Sequence, residues 1–155
     1  MLQEFAFFAD KQPMPTVTTS SNLITWSDRY SVGIARIDAE HRKLVDLVNE
    51  LYAAIVACNP ASVTARVLDG LASYTVSHFS AEEALMKRHG FPGYVQHKAE
   101  HDKLVAQVKQ LQQDLRAGKA AVSQEVMSFL QSWLIGHILG MDKKYTSHLK
   151  AAGVS

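Results

Sequence analysis

The chain has 155 residues, 47% of them hydrophobic and 20% charged, which suits one domain with a substantial buried core. Its formal net charge is +1, and lysines and arginines are interspersed with acids in stretches such as HRKL, MKRHG and DKKY, so no basic stripe proposes a nucleic acid or an anionic membrane as partner. A single cysteine, Cys58, excludes an internal disulfide, a CxxC pair and a CxxCH haem attachment, and no apolar run approaches the roughly 18 to 20 residues that span a bilayer.

The N-terminal 22 residues, MLQEFAFFADKQPMPTVTTSSN, carry a short FAFFA patch that Asp10 interrupts and no basic residue precedes, a poor match to a signal peptide. A cytoplasmic protein without membrane insertion is therefore expected, with Cys58 as a buried, inert thiol. Proline, threonine and serine from Pro13 to Ser21 predict a flexible arm over residues 1–22, followed by one folded domain over residues 23–155.

Helical periodicity begins near Asp38, a candidate N-cap, and runs to Cys58 with Ile37, His41, Leu44, Val45, Val48, Leu51, Tyr52 and Ile55 on one face, until Asn59 and Pro60 stop it. A second helix opens near Ser62 and carries Leu68, Leu71, Tyr74, Thr75, His78, Glu82, Leu85 and Met86 before Gly90 and Pro92. The third, from about Gly93 to Ala117, carries Tyr94, His97, His101, Leu104, Val108, Leu111 and Leu115. The fourth starts around Ser123 and carries Val126, Leu130, Trp133, His137, Met141 and Tyr145. Strand signals are nearly absent and no repeat stands out. Four long helices with short connections predict an all-α, up-down-up-down four-helix bundle.

Six polar residues, His41, His78, Glu82, His97, His101 and His137, fall on faces otherwise made of leucine, valine and aromatics. Burying so many polar groups is costly unless they pair or share a metal. His78 with Glu82 and His97 with His101 are spaced i, i+4, so each pair stacks on one helical face. His137 and Asp142 are five apart, which in a regular helix leaves Asp142 about 140° round from His137. Either Asp142 reaches in from the flank or the helix widens locally into a π-type bulge. Imidazole with carboxylate suits iron, manganese or zinc, while the absence of cysteine ligands and of HEXXH weighs against the common zinc sites. Five histidines and two carboxylates exceed one ion's needs and suit two ions sharing the carboxylates.

The stretches SVGIARIDAEHRKL, HFSAEEALM, FPGYVQHKAEHDKL and WLIGHILGMDKKY, in the order H…HxxxE…HxxxH…HxxxxD, resemble the hemerythrin family, in particular its bacterial single-domain members, from about Trp26 to Leu149. The myohemerythrin bundle is itself a standard example of the four-helix architecture. The resemblance implies a non-haem di-iron site in the bundle core: His97, His101 and His137 on one iron, His41 and His78 on the other, with Glu82, Asp142 and an oxo or hydroxo group bridging. One position then stays open on the iron with two histidines, where dioxygen is expected to bind. Leu134 matches the family's apolar residue lining the dioxygen pocket.

The implied function is reversible dioxygen binding for storage, transport or delivery, by a protein that is not an enzyme. The alternatives are a di-iron oxidoreductase acting on peroxide, dioxygen or nitric oxide, and an oxygen-sensing module. The sequence is compatible with a monomer but leaves open the oligomeric state and any protein recipient of the oxygen. Trp133 and Tyr145 match family aromatics near the metals, with ordinary core packing as the alternative; Glu83 and Glu100 read as solvated surface acids before partners for imidazole N–H groups, and His89 and His148 as lying outside the metal site.

Overall fold

The computed structural model describes residues 22–119 and 124–155. Apart from Asn22, the expected flexible arm lies outside the described residues, as does Ser123, where the fourth helix is expected to start. A 3-10 turn at Asp28–Tyr30 precedes α1 (Ala35–Val56), α2 (Ala61–Arg88), α3 (Tyr94–Arg116) and α4 (Gln124–His137). A π-helical turn, Ile138–Asp142, joins α4 to α5 (Lys143–Ala151), so that α4, the turn and α5 together form the fourth arm of an up-down-up-down bundle. There is no strand among the described residues, and no described helix is long and apolar enough to cross a membrane.

The helix ends refine two sequence expectations. Asp38 is not the N-cap: α1 begins at Ala35, and Asp38 sits in its first turn. From there its carboxylate reaches back to accept from the Val32 amide at 2.7 Å and the Ser31 hydroxyl at 2.5 Å, tying the incoming chain to the helix. Cys58 is exposed rather than buried. It lies past the last turn of α1 at φ 52°, in the left-handed position that closes a helix: its amide bonds the Ile55 carbonyl and the Asn59 amide bonds that of Ala54. Gly90, at φ 64°, takes the same position after α2, where no side-chain strain arises.

The chain before α1 lies against the bundle. Ile24 is buried and its amide and carbonyl are both held by the Asn49 side chain, at 2.9 and 2.8 Å. Trp26 packs beneath the Arg42 guanidinium.

Two apolar layers fill the core: α1 and α2 contribute to both, α3 to the larger with Tyr94 against the smaller, α4 to the larger and α5 to the smaller. The larger contains Leu44, Val48, Leu51, Leu68, Leu71, Phe79, Leu104, Val108, Leu130, Trp133, Leu134 and Ile138; the smaller contains Ile34, Ile37, Met86, Tyr145 and Leu149, with Phe91 and Tyr94 against it. Along α1 the boundary falls between Ile37 and Leu44, and along α2 between Leu71 and Met86, with Phe79 reaching back into the larger layer. His41, His78, Glu82, His97, His101, His137 and Asp142 occupy that boundary, a polar layer closed above and below by hydrocarbon.

Candidate metal centre

Sequence spacing explains how four helices supply seven ligand-type side chains at one level. His78 and Glu82 stack one turn apart on α2, as His97 and His101 do on α3. His41 faces them from α1. The fourth arm would carry Asp142 away from His137 if it stayed α-helical, but the π turn at Ile138–Asp142 absorbs one residue and returns Asp142 to the His137 face. Of the two local geometries the spacing allows, this is the one adopted.

All seven side chains are buried, none more than 4% exposed. Each carboxylate divides its oxygens between two histidine sets. Asp142 Oδ1 lies 3.1 Å from His97 Nε2 and 2.9 Å from His137 Nε2, while Oδ2 lies 3.0 Å from His41 Nε2. Glu82 Oε2 lies 3.2 Å from His101 Nε2, while Oε1 is 3.5 Å from His41 Nε2 and 3.4 Å from His78 Nε2. Two groups of ligand atoms result, one from Glu82, His97, His101, His137 and Asp142 and one from His41, His78, Glu82 and Asp142, each closing within 4.8 Å.

These contacts have hydrogen-bond lengths but mostly not hydrogen-bond directions. Nε2 of His41, His78 and His97, Oε2 of Glu82 and both Asp142 oxygens are buried without a hydrogen-bond partner. Orphaned buried polar atoms are rare in folded proteins because each costs its lost hydration. Lone pairs converging from histidine and carboxylate fit metal cations, and two groups sharing both carboxylates fit a pair of them.

Charge follows the same arrangement. Burial and the neighbouring Asp142 push the Glu82 carboxyl up, but His78, His101 and His41 outweigh them and bring its pKa to about 2. Burial likewise opposes ionisation of Asp142, and His137, His41 and His97 overcome it, holding the carboxyl well below its ordinary range. Burial opposes protonation of His41, yet Asp142 and Glu82 raise its pKa to about 9. Without metal, the site therefore holds a proton at neutral pH that a cation must displace.

The polar layer is supported from behind. His78 Nδ1 contacts Glu40 Oε2 at 2.7 Å, and Glu40 also accepts from Arg36 Nε at 3.0 Å. His101 Nδ1 contacts Glu83 Oε1 at 2.9 Å. Each ligand group thus has one histidine whose outer nitrogen is fixed by a carboxylate, which turns the Nε2 lone pair inward. Of the two roles the sequence leaves to Glu83, a solvated surface acid and a partner for an imidazole N–H, the structure shows the second. Glu40 was not singled out there at all, because its partner lies on the neighbouring helix. Glu100 does behave as a surface acid, 3.5 Å from Lys103 Nζ. His148 Nε2 bonds the His89 carbonyl at 2.7 Å, and both lie outside the site.

Phe79 stacks on the His101 ring, with centroids 3.7 Å apart and planes at 3°. Trp133 Nε1 donates to the Leu104 carbonyl at 3.4 Å. These aromatics and Leu134 help to enclose a cavity of about 10 Å³ with Leu44, Ile138, His41 and His78 on its wall. That is room for about one water-sized molecule.

Residues 32–149 match the family described as the hemerythrin HHE cation binding domain. The chain belongs to the hemerythrin family. A bacteriohemerythrin of Methylococcus capsulatus is 36% identical over 130 residues, covering 83% of this chain and 98% of that protein. A myohemerythrin of Riftia pachyptila is 31% identical over 124 residues, 80% of this chain and 92% of its own. The crystal structure of a wild-type hemerythrin superposes with a TM-score of 0.77 at 37% identity, covering 82% of this chain and 98% of that one. These relatives are named as hemerythrins and not as enzymes.

Proposed function

We propose that this hemerythrin binds dioxygen reversibly at a non-haem di-iron centre, for storage, transport or delivery. The observation that carries the reading is the division of Glu82 and Asp142 between two histidine sets beside a small, mostly apolar cavity. His97, His101 and His137 would hold one iron, His41 and His78 the other, and Glu82 and Asp142 would bridge them. When bound, two ferrous ions supply the electrons that hold dioxygen and recover them when it leaves.

The chain's own part is to position and to exclude. Glu40 and Glu83 fix the imidazoles behind His78 and His101, so the ligand set need not reorganise between metal charge states. His41 and His78 of the two-histidine side line the cavity together with His137 of the other, and the two-histidine side, with fewer protein ligands, is the one that leaves a position free. Leu134, 3% exposed, closes that cavity with Leu44, Phe79, Leu104, Trp133 and Ile138, keeping water and its protons from the bound gas. A cavity of about 10 Å³ has no space for an organic co-substrate, which limits what reaches the centre to small molecules such as dioxygen. The functional unit in this reading is residues 23–155.

Exposing the anaerobic, reduced iron protein to air and then purging with argon tests the reading. A visible charge-transfer band that rises and disappears over repeated cycles is the expected result. One-way oxidation on the first exposure, with steady consumption of an added reductant, would replace the carrier with an oxidoreductase.

A further inference from the structure

Tyr145 is fully buried, and its hydroxyl donates a hydrogen bond to Glu82 Oε1. Glu82 Oε2 and both oxygens of Asp142 have no hydrogen-bond partner, so of the four oxygens offered by the two carboxylates one alone is engaged in this way. That oxygen is the one turned toward His41 and His78, which line the cavity together with His137. The asymmetry is produced by the backbone. Tyr145 follows His137 by eight residues, about 80° out of line in an unbroken α-helix, but the π turn between them absorbs one residue and leaves the two within about 20°. The same turn that brings in Asp142 therefore brings in the phenol.

Packing does not account for the hydroxyl. The ring fills the apolar layer among Ile34, Ile37, Met86 and Leu149 and meets the edge of Phe91, which phenylalanine would serve equally well. A carboxylate oxygen that accepts a hydrogen bond is a weaker donor to a cation, and the loss is felt more by a ferric ion than by a ferrous one. We propose that Tyr145 is a positioning residue that sets the redox poise of the two-histidine half of the centre by drawing electron density from Glu82 Oε1. The proposal rests on the di-iron reading above. It makes the half that meets the gas the more easily kept ferrous, and so slows its irreversible oxidation.

The test is a mediated redox titration under argon of iron-loaded wild type, Tyr145→Phe and Phe91→Leu, with iron counted in each sample. Tyr145→Phe should retain two irons and favour the ferric state about tenfold more, a downward shift of about 59 mV for a one-electron couple. Phe91→Leu, which loosens the ring contact but leaves the hydroxyl, should keep the wild-type potential. Ring-fluorinated tyrosine at position 145, a stronger donor, should move the potential upward. An unchanged potential in Tyr145→Phe, an equal shift in Phe91→Leu, or loss of iron from Tyr145→Phe would each overturn the proposal. Wild type that fails to hold two redox-active irons would instead refute the underlying di-iron reading.

Discussion

Glu40 offers a way to weaken one metal position and leave the other intact. It precedes His41 on α1, but its Oε2 lies 2.7 Å from His78 Nδ1 on α2, so it acts on the two-histidine half alone. His101, on the other half, keeps its own carboxylate in Glu83. Removing a carboxylate that orients a metal-bound imidazole costs about 10–100-fold in metal affinity, which is about 1.4–2.8 kcal/mol. Glu40→Ala loses both the anchor and the charge and should show that full effect. Glu40→Gln keeps a carbonyl oxygen for the Nδ1 proton but not the charge. Since a charge-assisted hydrogen bond is about twice as strong as a neutral one, roughly half the free energy survives and the loss falls to about 3–10-fold. The Glu40 side chain is 19% exposed and shared with Arg36, which favours the lower end of both ranges. Stepwise titration of metal-free protein with Co²⁺ against a competing chelator resolves the two positions. Equal weakening of both steps or of neither in Glu40→Ala, or a loss in Glu40→Gln as large as that in Glu40→Ala, would refute a role for Glu40 in holding His78.

Three further outcomes follow from the same geometry. His101→Ala and His78→Ala, each removing a nitrogen from a different ligand group, should reduce iron below two per chain by elemental analysis; full occupancy in both would remove these histidines from the ligand set. Leu134→Ala should still take up dioxygen but autoxidise several-fold faster, whereas Leu111→Ala, a partly buried packing residue remote from the cavity, should not, as followed by decay of the charge-transfer band in air. Equal decay in both variants would reduce Leu134 to a core leucine worth about 2 to 5 kcal/mol of stability. For metal-free protein, the raised pKa of His41 contributes stability fully below about pH 6.5 and loses it as pH rises through about 9. Glu82, lowered to about 2, contributes above about pH 4.5 and loses its share as pH falls toward 2. Thermal melts of chelated protein should therefore peak between about pH 4.5 and 6.5, and a melting temperature that climbs from pH 6.5 to 9 would contradict the buried ion network.

The sequence exposed what periodicity and spacing encode and concealed what depends on neighbouring helices. The i, i+4 pairs His78–Glu82 and His97–His101 could be assigned to core faces because a regular helix fixes their direction. His137 and Asp142 could not, since a spacing of five is compatible with a flanking approach or with a wider turn, and only the backbone distinguishes them. Glu83 reads as a surface acid before a partner of an imidazole, and Glu40 does not stand out, because each lies beside a core position. Their long side chains reach an imidazole on the adjacent antiparallel helix, a contact that one-dimensional spacing does not contain. Cys58 was misplaced for a similar reason: it ends an apolar face in sequence, but the helix closes two residues earlier and leaves the thiol in solvent. The bundle itself was legible throughout, because four amphipathic segments with short connections leave few other ways to bury their faces.

Dioxygen uptake measured with a gas electrode on anaerobic, fully ferrous protein of known iron content tests the carrier assignment most directly. One dioxygen bound per two irons, recovered as dioxygen on evacuation with both irons again ferrous, is the predicted result. Uptake that cannot be recovered, or that exceeds one dioxygen per iron pair while reductant is consumed, would contradict it.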